Sequence, residues 1–179
     1  MEKKNANEKY RAGIGNNRFL TASVFKNEIL IHIREYRESD DVLYPTTKGI
    51  AFPLPRWASF VAHISTVDEA IEQLRSGADT NMRAHIGGRC MISVKTGIDR
   101  IDVRKFWMFN AVDGQQERPT RSGIALNFFE WGRLKAHITD MHAHVPEAAN
   151  AKPCYDGDDH ANQLGFVNCL ECNPFTKSI

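Results

Sequence analysis

The sequence has few cysteines and no long apolar run. Four of its 179 residues are cysteines, and three of them follow Ala151, which is too uneven for the disulfide framework of a secreted scaffold. No apolar stretch approaches the ~20 residues of a membrane-spanning helix. Residues 1–17 lack the apolar core of a signal peptide. We therefore expect reduced thiols, no membrane partner and a location inside the cell.

Short motifs that carry catalytic mechanisms are also missing. The sequence has no phosphate-binding glycine loop and no nucleophile in a strand–turn–helix motif. His137, His142 and His144, with Asp140, offer metal-binding side chains, but side chains on one face of a helix are three or four residues apart. His137 and His142 do not have that spacing. We predict a protein that is not an enzyme and needs no cofactor.

The near-neutral net charge of +1 conceals an uneven distribution. Residues 88–145 contain more lysines and arginines than acids, whereas residues 18–75 contain slightly fewer. Because polyanions are attracted to the more basic region, we expect a nucleic acid to prefer residues 88–145.

One stretch of the sequence occurs twice. Residues 48–52 (KGIAF) and 122–126 (SGIAL) each precede a tryptophan, Trp57 or Trp131, and then a His-Ile pair. Repetition of this kind indicates two copies of one structural unit. Units this small bury little core alone, so we expect them to pack on each other as an intramolecular pseudo-dimer, or to pair with a second chain as a homodimer.

Each copy is predicted to be four strands followed by a helix, because β-prone apolar runs precede an apolar stripe with helical spacing. In the first copy the predicted strands are residues 19–24, 29–36, 42–44 and 48–52, and the helix follows Pro55. The second copy repeats this order, and Asn127 with Glu130 forms a capping box at the start of its helix. The predicted fold class is α+β, with two tandem β-β-β-β-α units packed as a pseudo-dimer.

The segments around the two copies differ from them in composition. We predict a flexible basic arm (1–17), a first unit (18–75), a linker (76–87), a second unit (88–145) and an acidic Cys-containing tail (146–179).

Basic and aromatic residues are interleaved along the predicted strands. Residues 34–37 (REYR) correspond to residues 104–107 (RKFW), and Phe25-Lys26 lies at the first hairpin turn. Aromatic rings stack on unpaired bases while lysines and arginines contact phosphates, a combination typical of single-strand binding. We expect Tyr36 and Phe106 in the core, and Phe25, Trp107 and the cations in contact with nucleic acid.

These residues resemble the single-stranded-DNA-binding domain of the positive cofactor four family of RNA polymerase II transcriptional coactivators. The resemblance rests on residues 31–36 (IHIREY), 48–50 (KGI) and Trp57 in the first copy. In the second copy it rests on residues 101–107 (IDVRKFW), 118–124 (RPTRSGI) and Trp131.

The resemblance implies a strongly curved four-stranded antiparallel sheet followed by a helix, with two such units presenting grooves to single-stranded or melted DNA. It implies that Phe25, Lys48 and Trp107 contact the ligand. In the other copy their places are taken by Lys95, by Ser122 beside Arg121, and by Arg37. The complete set of predicted nucleic-acid-binding residues is Phe25, Lys26, Arg34, Arg37, Lys48, Lys95, Arg100, Arg104, Lys105, Trp107, Arg118 and Arg121.

The tail contains a second candidate site. Cys169 and Cys172 have the two-residue spacing of a zinc knuckle, and Cys154 with His160 would complete four ligands. The second Cys-x-x-Cys or His-x-x-His arm that makes such motifs specific is missing. Tail cysteines without a metal role are therefore the preferred interpretation, and zinc is the alternative.

The predicted function is non-enzymatic binding of single-stranded DNA, or of RNA, by base stacking and phosphate contacts. The resemblance suggests a nuclear coactivator that works with the transcription machinery, and DNA repair or replication is a further setting for such binding. The alternative is a protein–protein interaction module that kept the fold and lost DNA binding, which the near-neutral net charge favours.

Overall fold

The computed structural model describes residues 7–160 and 162–174. Their architecture is α+β, with two four-stranded antiparallel sheets that are each followed by helices, which confirms the predicted fold class. Within each sheet every strand pairs with its neighbours in sequence. The strands are β1 (Glu8–Gly15), β2 (Arg18–Phe25), β3 (Glu28–Ser39), β4 (Val42–Pro53), β5 (Asn81–Gly87), β6 (Cys90–Lys95), β7 (Ile98–Ala111) and β8 (Gly114–Leu126). The helices are α1 (Leu54–Ala62), α2 (Ile64–Arg75), α3 (Phe128–His144), α4 (Pro146–Ala149) and α5 (Gln163–Asn168), with 3₁₀ turns at Cys154–Asp156 and Asp158–His160.

Two-residue turns join all the strands of the first sheet. In each turn both central residues have a positive φ, between 50° and 64°, as type I′ hairpin turns require. Asn and Asp adopt this conformation more readily than most residues. The turns are Asn16-Asn17, Lys26-Asn27 and Asp40-Asp41.

One face of each sheet packs on a hydrophobic core that both sheets share. In β3, Ile31 and Ile33 are fully buried, whereas His32 and Arg34 are only partly buried, because successive side chains of a strand point to opposite faces. The same core contains both repeated tryptophans.

The segment predicted to be a flexible arm contributes a strand, which corrects that prediction. Residues 8–15 form β1 at the edge of the first sheet, and Tyr10 and Ile14 of β1 are buried in the core. The alternation of Tyr10, Ala12 and Ile14 between polar residues is the reason. Residues 1–6 of the predicted arm lie outside the described residues.

The predicted linker is also partly a strand. Residues 81–87 form β5 at the edge of the second sheet, with Ile86 fully buried. With these strands included, the first unit is residues 8–75 and the second unit is residues 81–144.

Two further boundaries differ from the prediction. The predicted strands at 42–44 and 48–52 are one strand, β4, which continues through a bulge beside Arg34. The predicted single helix of the first unit is broken at His63, where the backbone amide donates to the carbonyl of Phe60 instead of continuing the α-helical pattern.

The predicted capping box at the start of α3 is confirmed, and it also joins the two units. The amide of Asn127 donates to Glu130 at 2.9 Å, and the amide of Glu130 donates to the Asn127 side chain at 2.8 Å. The fully buried carboxylate of Glu130 accepts two more hydrogen bonds from the first unit, from Asn16 at 2.8 Å and from Arg18 at 3.0 Å.

The two units pack on each other reciprocally. Helix α3 packs on β1, α1 packs on β5, and β4 lies against β8. The indole nitrogen of Trp57 donates to His142 Nε2 at 2.9 Å, and that of Trp131 donates to Asp68 Oδ1 at 2.7 Å. His142 follows Asp68 by the same number of residues as Trp131 follows Trp57, so the two bonds are equivalent and the units form a pseudo-dimer.

The tail folds into short elements after Val145, a buried residue that ends α3. Among the described residues, Ala148 of α4 is fully packed, while α5 has no buried residue. None of the helices that the structure describes has the length and apolar character needed to span a membrane.

Candidate nucleic-acid interface

The face of the first sheet that points away from the core is a groove of about 680 Å³. We name it the first groove. It is lined by side chains from all four strands, which reach this face because strand side chains alternate. They include Thr21, Ser23, Phe25, Leu30, His32, Arg34, Tyr36 and Thr46. The β1 residue is Glu8, whose carboxylate pairs with Arg11 at 2.6 Å.

Arg34 lies at a β-bulge in this groove. The register between β3 and β4 shifts directly after Arg34, and Thr46 Oγ1 donates to the carbonyl of Glu35 at 2.8 Å, which satisfies an acceptor at the bulge. Arg34 Nη1 donates to the carbonyl of Thr46 at 2.7 Å. Among residues 7–160 and 162–174, no carboxylate forms an ion pair with Arg34. Its positive charge is therefore not neutralised by a bonded acid.

The second unit repeats this bulge with a change in charge. Arg104 Nη1 donates to the carbonyl of Thr120 at 2.7 Å, and Thr120 Oγ1 donates to the carbonyl of Lys105 at 2.8 Å. Here Arg104 also forms an ion pair with Asp102, with 3.0 Å between Nη2 and Oδ1. The first unit has His32 at the position of Asp102, so only the second bulge contains a neutralised arginine.

His32 is a groove residue that the sequence analysis missed. Its Nε2 lies 3.2 Å from Ser23 Oγ. Burial, and then the nearby positive charge of Arg34, lower the pKa of His32 to about 4. The imidazole is therefore neutral at pH 7, with its ring in the groove. A histidine inside an otherwise apolar strand gives little sequence signal, since core histidines have the same pattern.

Phe25 and Lys26 lie at the tip of the β2–β3 hairpin. The Phe25 ring is 58% exposed and lines the first groove. The Lys26 Nζ lies 5.4 Å from the centroid of this ring, within the range of a cation–π interaction. An exposed aromatic ring beside a cation at the rim of a groove can stack on a base and contact a phosphate together.

Tyr36 was predicted in the core, but it is buried on the opposite face of the sheet, where it lines the first groove. Its position follows the alternation of His32 and Arg34. The Phe19 ring packs against it edge-on at 5.1 Å, and the Arg11 guanidinium lies 5.1 Å over it. Sequence reasoning missed both Phe19 and Arg11.

The remaining predicted cations of the first unit are not part of the groove lining. Lys48 is exposed and its Nζ forms an ion pair with Glu35 at 3.1 Å. Arg37 is exposed on β3. Its register partner on β4 is Tyr44, an exposed aromatic residue.

On the second unit, two aromatic residues of β7 lie against arginines, one from the β5–β6 turn and one from β8. Trp107 is 55% exposed, and the Arg89 guanidinium lies 4.6 Å from its ring. The Arg118 guanidinium lies 4.2 Å from the Phe109 ring. Arg89 and Phe109 were not predicted.

Phe106 was predicted in the core, but it is only half-buried and is not part of the shared core. It has a cation against its ring as well. The Arg83 guanidinium lies 4.8 Å from the Phe106 ring and forms an ion pair with Glu117. Like Arg104, Arg83 is therefore neutralised by a bonded acid. Lys105 beside them is half-buried.

The β6–β7 hairpin is shorter than the β2–β3 hairpin. Ala22 pairs with Ile31 and Val94 with Ile101, so residues 23–30 complete the first hairpin and residues 95–100 the second. The second hairpin therefore has no register position for an aromatic residue like Phe25. Its exposed residues include Lys95 and Arg100, and Arg121 is exposed on β8.

The four side chains of the alternative zinc hypothesis come together in the tail. The ligand atoms of Cys154, His160, Cys169 and Cys172 all lie within 4.8 Å of one another.

Comparison with known proteins gives matches that are confined to part of the chain. The chain is 30% identical over 63 residues to an RNA polymerase II transcriptional coactivator, KELP, of Arabidopsis thaliana, covering 35% of this chain and 38% of that protein. It is 40% identical over 48 residues to a putative RNA polymerase II transcriptional coactivator of Neurospora crassa, covering 27% of this chain and 28% of that protein. The chain thus spans less than two fifths of the length of these relatives.

No solved structure matches the chain. The family model that matches is described as Transcriptional Coactivator p15 (PC4) and covers residues 12–63. These residues include β2, β3, β4 and α1, and so most of the first groove. Over this segment the chain is similar to the coactivator domain that the sequence resemblance indicated.

Proposed function

We propose that the chain binds single-stranded nucleic acid in the first groove and acts as a coactivator-like protein in the nucleus. The observation that carries this proposal is Arg34, a half-buried guanidinium that pairs with no acid of the described residues, in a groove that also presents the exposed ring of Phe25. A nucleic acid supplies both the phosphate and the base that these two groups bind. The match of residues 12–63 to the coactivator domain supports the same unit.

Binding in the groove uses two kinds of contact. Phe25 offers its exposed face to a base, and base–aromatic stacking contributes about 1–3 kcal/mol. Lys26 and Arg34 contact the phosphates, and His32 lies between them with a neutral ring. Binding of this kind tolerates many sequences and weakens as salt rises.

The second unit has a supporting role in this proposal. Its bulge arginine, Arg104, and Arg83 of β5 are each paired with an acid, which lowers their attraction for phosphate. The net charge of residues 88–145 suggested instead that a nucleic acid prefers the second unit. Acids bonded to Arg104 and Arg83 neutralise these two positive charges locally. Trp107 on the β7–β8 hairpin is the contact that the second unit offers.

The ligand that we propose is single-stranded DNA, with the transcription machinery as a protein partner. Contacts to the 2′-hydroxyl are what distinguish RNA from DNA, so an RNA oligomer of the same sequence belongs in every titration.

The proposal is tested by fluorescence anisotropy with a labelled thymine oligomer at low salt. The Phe25→Ala variant loses the exposed stacking ring, so we expect its Kd to rise about 5- to 150-fold, which corresponds to about 1–3 kcal/mol. Trp107→Ala should weaken binding less, because it removes a contact outside the first groove. Phe129→Ala is the matched control, since Phe129 is 66% exposed with the Arg133 guanidinium 6.0 Å from its ring but lies on α3.

If the wild-type chain and Phe25→Ala bind the oligomer with equal affinity, the first groove is not the binding site. Absence of binding to any DNA or RNA oligomer at low salt would favour the alternative function, a protein–protein interaction module. The near-neutral net charge of +1 favours that alternative, because strong binders of nucleic acid are usually basic.

A further inference from the structure

Three thiols and one imidazole meet in the tail, next to the end of β5. Cys154 begins the first 3₁₀ turn, His160 ends the second, and Cys169 and Cys172 follow α5. The sulfur of Cys154 lies 3.2 Å from that of Cys169 and 3.7 Å from His160 Nε2. The sulfur of Cys172 lies 3.3 Å from the same nitrogen.

These distances suit ligands around one metal ion. With Zn–S bonds of about 2.3 Å and a Zn–N bond of about 2.0–2.1 Å, neighbouring ligand atoms of a tetrahedron lie roughly 3.5–3.8 Å apart. The observed separations of 3.2, 3.3 and 3.7 Å are close to these values. A disulfide bond is far shorter, at about 2.05 Å, and all three cysteines are free.

We propose that Cys154, His160, Cys169 and Cys172 bind one structural Zn²⁺ ion. Three thiolates and one imidazole form one of the usual donor sets of structural zinc sites, and four protein ligands leave no open position for a substrate. The inference does not depend on the proposed function.

The surroundings of the ligands support a metal site. Outer contacts orient the ligands of a metal. His160 directs Nε2 at the thiols, and the Phe166 ring packs edge-on against its imidazole at 6.0 Å.

Burial of apolar side chains contributes little to the folding of the tail. Helix α5 has no buried residue, and several large apolar side chains of the tail are exposed: Leu164, Phe166, Val167 and Leu170. Small segments that lack a core generally need a disulfide or a metal. Metal binding supplies folding free energy directly, because the site exists only when the segment is folded.

The knuckle residue Glu171 connects this site to both units. Its carboxylate accepts from Arg56 Nη2 at 2.6 Å and from Arg56 Nε at 3.1 Å, and its carbonyl accepts from the amide of Gly88 at 2.7 Å. Arg56 belongs to α1 of the first unit and Gly88 to the β5–β6 turn of the second. The zinc-bound tail therefore contacts both units and stabilises their association.

A side chain at the β5–β6 turn would not fit under the tail. A Cβ atom on Gly87 would lie 2.8 Å from Glu171 Oε2, and one on Gly88 would contact Arg56. Both glycines have positive φ, 115° and 55°. Glycine at both positions of the turn therefore allows Glu171 and Arg56 to pack against it.

The test is the metal content of the full chain, purified without chelator and under reducing conditions. We expect about one zinc per chain for the wild type, consistent with four ligands around one ion. The double variant Cys169→Ser/Cys172→Ser should lose the metal, while Cys90→Ser, which changes the buried thiol outside the site, should keep it. Replacement by Co²⁺ should give the thiolate charge-transfer and ligand-field absorption of a tetrahedral site in the wild type and in Cys90→Ser.

Two results would overturn the proposal: wild-type chain without stoichiometric metal even after incubation with Zn²⁺, or equal metal content in the double variant. Circular dichroism of the double variant checks that the sheets remain folded. If that variant does not fold, the Co²⁺ spectrum of the wild type still decides whether thiolates bind the metal.

Discussion

At position 32 the first unit has a histidine where the second unit has Asp102, and this one exchange changes the charge of a repeated site. Asp102 pairs with Arg104 in the second unit, whereas His32 leaves Arg34 without a bonded acid and is itself held neutral beside it. The two bulges therefore share their backbone hydrogen bonds and differ in their attraction for anions.

The lowered pKa of His32 predicts a loss of stability in acid. The folded chain keeps His32 neutral down to pH about 4, whereas in the unfolded chain its pKa is about 6.5. Between these values the unfolded chain binds the extra proton, so the free energy of unfolding decreases as pH falls. The full contribution is present above pH about 6.5, and up to about 3 kcal/mol of it is lost by pH 4.

Urea unfolding of the wild type and of His32→Gln between pH 4 and 7 measures this contribution. Acids and other histidines titrate in both proteins, so only the difference between the two curves is informative. We expect the difference to change with pH below about 6.5. Parallel curves over the whole range would show that His32 does not carry the effect.

At the residue scale, the sequence predicted the parts of the site that have a pattern. The hairpin-tip position of Phe25 and the interleaved Arg34 follow from strand alternation and turn chemistry. The roles of His32 and Arg11 depend on which strands lie side by side, and one sequence does not contain that information. The tail ligands were identifiable from the Cys-x-x-Cys spacing, but only the turns before α5 bring Cys154 and His160 to them.

At the scale of single elements, the close approach of β3 to β4, and of β7 to β8, explains the glycine of each repeated stretch. A Cβ atom on Gly49 would lie 2.8 Å from the Cα of Arg34, and one on Gly123 would lie 2.7 Å from the carbonyl oxygen of Val103. Backbone atoms cannot move aside as a flexible side chain can. The repeated glycines are therefore required by strand packing at the bulge and are not themselves binding residues.

The Gly49→Ala substitution should consequently destabilise the first sheet. Overpacking of this kind costs roughly 1–3 kcal/mol, and denaturant unfolding measures it. Gly132→Ala is the control, because a Cβ there meets no atom within 4 Å. Since Gly132 lies inside α3, alanine should stabilise that helix by up to about 1 kcal/mol. A stability of Gly49→Ala equal to that of the wild type would contradict the proposed close packing.

The sequence predicted best those elements whose apolar residues recur at a regular spacing. Strands β2 and β3 and helix α3 were placed nearly correctly, because their apolar residues alternate or recur at helical spacing. Strand β1 was missed because its few apolar residues stand among Lys, Asn and Arg, and it is stabilised as a strand by pairing with β2. Strand β4 was predicted as two strands, and Pro45 between them lies at the bulge on an edge strand, where proline is tolerated.

At the scale of the whole molecule, the two units share one core and exchange hydrogen bonds through their repeated tryptophans. Trp57 and Trp131 are buried, and each donates across the contact to the other unit. This arrangement predicts that the units unfold together. The repetition in the sequence indicated two packed units, but the partners of the indole nitrogens, His142 and Asp68, had no sequence signal.

Replacing Trp131 by Phe tests this coupling. The variant loses the hydrogen bond to Asp68 and part of the packing against Phe60, so we expect a loss of roughly 1–4 kcal/mol with one cooperative transition in urea. The exposed Trp107 is the matched control, and Trp107→Phe should change stability by less than about 0.5 kcal/mol. Two separate transitions in the wild type would contradict a single shared core.

The central claim is that the first groove binds single-stranded nucleic acid, and amide chemical-shift mapping by NMR with a thymine oligomer tests it most directly. We expect the largest shifts on residues 21–36, 46 and 47, around Phe25, His32 and Arg34, with smaller shifts near Trp107. Shifts confined to the second unit, or no shifts at low salt, would contradict it.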